Sequence, residues 1–128
     1  LSAGEQRMAY LARAVMQNAG NLLLDEPVSS LDLSRQHVFL NGLRRHVQDR
    51  QAGCLLTIHA PELAYTYADR FLILHQRRLL LDAPRSDPDL QARLREGLTG
   101  IYGPAVRVGF RDGAMVLGWD STQHGLEW

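Results

Sequence analysis

Three side chains draw attention by their type and their place. Asp25 and Glu26 are adjacent carboxylates directly after the apolar run Leu22 to Leu24, and His59 directly follows a second apolar run, Cys54 to Ile58. Short continuous apolar runs read as strands buried on both faces. Two acids just past such a strand are costly unless a cation or hydrogen bonds receive them. A Mg²⁺–nucleotide site would use both, one carboxylate holding the metal and the other orienting an attacking water. A strand exit with two solvated acids is the simpler account of the pair taken alone. His59 taken alone reads as an ordinary strand-end histidine.

The surrounding pattern supplies elements to position these residues. Ser2 followed by Glu5 has the spacing of a capping box, and Met8, Leu11, Ala12, Val15 and Met16 then recur at helical spacing. Gly20 is the expected stop. A second helix is predicted from near Asp32, carrying Phe39, Leu43 and Val47 on one face and broken by Gly53. Pro61 suits the first turn of a short helix reaching about Ala68. Phe71 to Leu74 and Leu79 to Leu81 read as strands across a Gln-Arg-Arg turn. Strands alternating with helices imply an α/β fold with an at least partly parallel sheet. In such sheets function gathers at the C-terminal strand ends, where Asp25, Glu26 and His59 stand.

Composition shifts near Ala83. Beyond it, Asp87 and Pro88 are expected to cap and open a helix holding Leu90, Leu94 and Leu98. Val106 to Phe110 and Ala114 to Leu117 flank Arg-Asp-Gly, a hairpin signal. The stretch from Asp120 to Trp128 has no periodicity, and Trp119 and Trp128 are compatible with packing or exposure.

Composition narrows the classes. The 128 residues suffice for one small domain with a real core and not for two. Fourteen basic residues balance fourteen acidic ones, which removes the electrostatic argument for a nucleic-acid binder. All fourteen basic residues are arginine. Cys54 is the one cysteine, so there is neither a disulfide framework nor a cysteine metal cluster, and in an apolar strand it reads as inert core. His37, His46, His75 and His124 lack metal-ligand spacing. Arg44 and Arg45 read as a solvated helix face. No apolar run approaches the ~18 residues that span a membrane. The chain opens on Leu1 inside a motif, so a piece of a longer protein is expected.

The order of motifs carries a family resemblance. Leu1-Ser2-Ala3-Gly4-Glu5 resembles the signature motif of ATP-binding-cassette (ABC) ATPases, and Leu22-Leu23-Leu24-Asp25-Glu26-Pro27 resembles their Walker B motif. Ser29-Ser30-Leu31-Asp32 is similar to the D-loop, and Thr57-Ile58-His59 to the switch-histidine segment. Each match is weak alone; the four together, in family order and near family spacing, are specific. The resemblance is detailed to about Leu81 and looser through Val108.

That resemblance implies an α/β fold, a partial P-loop NTPase (ABC ATPase) domain with a partly parallel sheet over residues 1–83. An accessory segment, a small helix and a β-hairpin, would fill residues 84–128. It implies that Asp25 holds Mg²⁺ through water, that Glu26 acts as general base or water-orienting group, and that His59 contacts the γ-phosphate of ATP. Ser2 and the Gly4 backbone would touch the γ-phosphate bound on an opposite subunit, and Asp32 would couple the two subunits. The departures are Asn21, Ala60 after His59 where Asp is usual, Ala3 in the signature and Met8 where many relatives have Arg. No phosphate-binding G-x-x-x-x-G-K-S/T loop, Q-loop or adenine-stacking aromatic is found, so the chain by itself is not expected to bind ATP well.

Pro27 after Asp-Glu, the stretch Leu31 to Gln36, Ala68-Asp69-Arg70, and Tyr102-Gly103 followed by Val106-Arg107-Val108 resemble importers of iron-siderophore, haem or cobalamin type. The partners so implied are a second ATPase subunit, a transmembrane permease and a substrate-binding protein, with no nucleic acid. The place implied is the cytoplasmic face of the inner membrane, without insertion. A soluble ABC ATPase of DNA repair or chromosome maintenance, or a non-enzymatic truncated remnant, are the alternatives.

Overall fold

The computed structural model describes residues 1–122, in two compact units that divide between Ala60 and Pro61. His124 and Trp128 lie outside the described residues. In the first unit, helix α1 (Ala3–Met16) begins where the chain supplies its own cap. The Ser2 hydroxyl accepts from the Glu5 amide at 3.2 Å, and the Glu5 carboxylate accepts from the Ser2 amide at 2.7 Å. The helix ends earlier than Gly20 suggests. Gln17 caps it, and Asn18 at φ 57° turns the chain away, a conformation Asn tolerates better than most residues.

Strand β1 (Asn21–Leu24) leads through the Asp25 loop to helix α2 (Leu33–Arg50), which returns the chain to strand β2 (Gly53–Leu56). The strands pair in parallel, Asn21 opposite Gly53 through Leu24 opposite Leu56. Backbone bonds from Gly53 to Gly20 and from Thr57 to Leu24, each 3.0 Å, continue the ladder at both ends. Two expectations are corrected. Gly53 does not end α2: Gln51 at φ 51° does, and Gly53 opens β2, where an added Cβ would lie 2.5 Å from Asn21 Oδ1. Nor is β1 covered on both faces, since Leu22 is buried while Leu23 is 78% exposed. Within the unit, Leu11, Leu22, Val28, Leu31, Phe39, Leu40 and Leu43 are the buried apolar side chains.

The second unit contains helix α3 (Pro61–Tyr67), strands β3 (Arg70–His75) and β4 (Arg78–Pro84), helix α4 (Leu90–Tyr102), and strands β5 (Val106–Arg111) and β6 (Ala114–Trp119). β3 pairs antiparallel with β4, and β5 with β6. Leu90, Leu94 and Leu98, spaced four apart on α4, bury one face into a core with Tyr65, Phe71, Leu81, Ala83, Val106, Val108 and Met115. α4 approaches β3 closely at Gly97, where a Cβ would meet Ile73 Cδ1 at 2.9 Å.

The turns refine the sequence reading. Gln76 and Arg77, not three residues, link β3 to β4, both with positive φ. Asp112 and Gly113, also at positive φ, close the β5–β6 hairpin as the Asp-Gly signal expects. Asp87 and Pro88 precede α4 instead of opening it. The Asp87 carboxylate accepts from the Asp89 amide at 2.8 Å, an Asx turn, and the helix begins at Leu90. Among the described residues, no helix is long and apolar enough to cross a membrane.

Candidate functional site

Parallel pairing places the C-terminal ends of β1 and β2 side by side, and the chemistry-bearing residues follow both. Thr57, one residue past β2, donates its hydroxyl to Asp25 Oδ1 at 2.7 Å and accepts the Glu26 amide at 2.7 Å. Two residues on, His59 Nε2 meets Glu26 Oε1. With Glu26 ionised, the ring nitrogen must carry the proton, because a carboxylate can only accept. Asp25, Glu26 and His59 are thus gathered at one end of the strand pair, in the first unit and open to solvent.

The loop between β1 and α2 is fixed from below. Pro27 is fully buried, and Val28 and Leu31 are nearly so. Gln36, on the first turn of α2, donates its side-chain amide to the carbonyls of Val28 (3.1 Å) and Leu31 (3.2 Å). Ser29 donates its hydroxyl to the Glu26 carbonyl at 3.1 Å. Glu26 itself lies at φ 46°, the left-handed region, which costs a non-glycine residue roughly 1–2 kcal/mol. Strain of this kind persists only where the surroundings over-determine it.

Asp32 is the N-cap of α2. Its carboxylate accepts from the Arg35 amide at 2.9 Å and faces the Arg35 guanidinium at 3.5 Å. Among the described residues, no hydrogen bond joins it to the Asp25 cluster. Ser2 and Gly4 lie at the other helix start. Ser2 is exposed, and a Cβ on Gly4 would make ordinary contact with the Ser30 carbonyl at 3.8 Å. The Ser2 oxygen accepts from the Glu5 amide and its hydroxyl leans on the Glu5 carboxylate, beside the first-turn amides that have no acceptor within the helix. The Glu5 carboxyl is held below its ordinary value by the hydrogen bonds from the Ser2 backbone and hydroxyl.

Four participants escaped the sequence reading of roles: Thr57, Gln36, Ser29 and Arg7. The Arg7 guanidinium donates from Nη2 to the carbonyls of Asp25 (3.0 Å) and Glu26 (2.8 Å), pinning α1 to the carboxylate loop. Thr57 and Ser29 lay in quoted motifs and carried a signal; for Gln36 and Arg7 nothing local announced a partner. Cys54 is half-buried, with its thiol pushed up by that burial, which disfavours the reactive thiolate.

The donor set suits a cation held indirectly. No cluster of three or more His, Cys, Asp or Glu side chains that could enclose a metal occurs among the described residues. Asp25 offers one carboxylate, with Oδ1 already bonded to Thr57 and Oδ2 left over. A single oxygen is a fit for a Mg²⁺ that keeps its waters and takes most of its ligands from phosphate.

No family model matches the chain. Individual proteins do. It is 32% identical over 117 residues to the "Probable iron chelatin transport ATP-binding protein" of Helicobacter pylori, an alignment covering 91% of this chain and 44% of that protein. It is 40% identical over 108 residues to the "Hemin import ATP-binding protein HmuV" of Vibrio anguillarum, covering 80% and 40% respectively. It is 39% identical over 98 residues to the "Phosphonates import ATP-binding protein PhnC" of Hydrogenovibrio crunogenus, covering 75% and 36%. The chain therefore spans well under half the length of these relatives. In fold it matches a solved inward-facing ABC transporter described as of metal-chelate type, with a TM-score of 0.70 and 23% identity over 93% of this chain and 47% of that one.

Proposed function

This chain is a homologue of the ABC transporter ATP-binding proteins, and from that kinship we propose that it supplies one half of an ATP-hydrolysing site in an importer. The observation that carries the reading is the Asp25–Thr57 and Glu26–His59 pairing at the ends of two parallel strands.

The geometry supports the roles that the resemblance implies. Glu26 presents a carboxylate oxygen to solvent with an imidazole beside it, the arrangement needed to orient and deprotonate a water. His59 steadies that carboxylate through its Nε2 proton, and on turning from Glu26 would donate the same proton to a phosphate oxygen. Asp25 keeps one oxygen for the waters of a Mg²⁺, which when bound neutralises phosphate charge. Thr57 fixes both acids at once. Ser2 and the Gly4 backbone, at the positive end of α1, are donors for the γ-phosphate of ATP held by a second subunit, and Asp32 faces that subunit.

The chain contains no lysine, so the lysine of a phosphate-binding loop must come from residues outside these 128. The complete protein would pair with a second ATPase subunit. The importer relatives favour a transmembrane permease and a substrate-binding protein as further partners, and an iron-chelate or haem cargo. The place of action would be the cytoplasmic membrane face, peripherally.

The test is made in the complete ATPase. Glu26→Gln keeps the shape and removes the base, so hydrolysis should fall at least ~10²-fold while ATP-induced dimerisation on size-exclusion chromatography persists. Asp25→Asn should weaken Mg²⁺-dependent ATP binding as well as turnover. Near-normal turnover in Glu26→Gln would sink the assignment.

A further inference from the structure

We propose that Arg7 is a positioning residue for hydrolysis, a brace that sets the backbone of the Asp25-Glu26 pair from the helix carrying the opposite face's phosphate donors. The inference rests on the reading of Glu26 as the catalytic carboxylate and goes beyond it by assigning a residue outside the four motifs.

The brace begins with one nitrogen and two consecutive carbonyls. Arg7 Nη2 donates to Asp25 O and Glu26 O at 3.0 and 2.8 Å. Two successive carbonyls point toward one donor only when the residue between them leaves the extended conformation, and Glu26 does so, at φ 46°. Glutamate has no intrinsic preference for that region, so its surroundings must hold it there. The Thr57 hydroxyl fixes the amide side of Glu26 at 2.7 Å, and Arg7 and Ser29 fix the carbonyl side. A charged guanidinium holds the carbonyls it bonds more strongly than a neutral donor does. Of the three, Arg7 alone reaches in from a different helix.

Its place on that helix gives the brace a second consequence. Arg7 stands five positions beyond Ser2, on the same rigid α1 whose first turn is the proposed donor to the nucleotide of the other subunit. A small displacement of α1 on engaging that nucleotide is passed through Arg7 to the peptide orienting this subunit's own Glu26. Occupancy of one nucleotide site thereby tunes hydrolysis at the other. A carboxylate misplaced by about 1 Å can cost up to about 10²-fold in rate, so a modest movement suffices.

The experiment compares Arg7→Met, Arg7→Lys and Glu26→Gln in the complete ATPase, with ATP turnover measured across ATP concentration and thermal melts run alongside. Arg7→Met should lower kcat by roughly tenfold or more, change KM for ATP by less than about twofold, and bring the Hill coefficient toward one. Arg7→Lys, which retains the charge on a shorter stem, should fall between Arg7→Met and wild type. A merely structural residue would scale activity with folded fraction and leave the Hill coefficient alone. Wild-type kcat and cooperativity in Arg7→Met, with Glu26→Gln inactive, overturns the brace and leaves the catalytic reading standing. An active Glu26→Gln overturns the catalytic reading instead. Should Arg7→Met fail to fold, Arg7→Lys decides alone: unchanged kcat and cooperativity there count against the brace.

Discussion

The hydroxyl of Thr57 does two jobs with one oxygen, accepting from the Glu26 amide and donating to Asp25. Thr57→Val keeps the shape and removes both bonds. It is expected to cost about 1–2 kcal/mol in stability by urea unfolding and about tenfold in ATP turnover of the complete protein, whereas Thr57→Ser should keep most of both. Glu26 makes the opposite bargain. Its left-handed backbone suits glycine, so Glu26→Gly should raise unfolding stability by something on the order of 1 kcal/mol while abolishing hydrolysis. A loss of stability in Glu26→Gly would mean that its side-chain contact to His59 outweighs the backbone strain.

At the scale of elements, the starts of α1 and α2 were legible, whereas the start of α4 and the helix ends were not. Ser2, Glu5 and Asp32 announce their caps because capping is chemistry between residues three apart. The ends at Asn18 and Gln51 put ordinary residues in the left-handed region beside glycines better suited to it, and tertiary packing overrode the local signal. Leu23 misled for a related reason: an apolar residue in a strand does not say whether anything within these residues covers it. The meeting of Asp25, Glu26 and His59 followed from parallel strands with functional ends. The Arg7 brace, spanning 18 positions, had no periodicity to reveal it. Two measurements bear on the caps. Asp32→Ala should cost about 1 kcal/mol, read as a lowered melting temperature. The Glu5 carboxyl, held below its ordinary value near 4.5, contributes stability that is complete above that pH and fades as pH falls through its lower folded value. The hydrogen-exchange protection of the Ser2 and Glu5 amides, taken relative to the intrinsic exchange rate at each pH, should therefore fall on acidification, and pH-independent protection there would contradict the capping box.

At the scale of the molecule, chemistry and fold have different requirements. The first unit holds every proposed site residue of this chain but no lysine. The 128 residues alone are accordingly expected to show negligible Mg²⁺-dependent ATPase activity, and robust hydrolysis by the purified chain would contradict the division of labour proposed here. β1 and β2 also form a pair with unpaired outer edges among the described residues, which predicts self-association of the isolated chain in a sedimentation experiment. The same pair has a temporal consequence. Asn21 and Gly53 are register partners separated by 32 positions (53 − 21), with α2 between them. A helix capped at Asp32 can form on local contacts within about a microsecond, but the strands cannot meet until that long loop has closed. Thr57 therefore reaches Asp25 only once β2 has docked on β1, so the carboxylate cluster is born with the strand pairing and is lost with it.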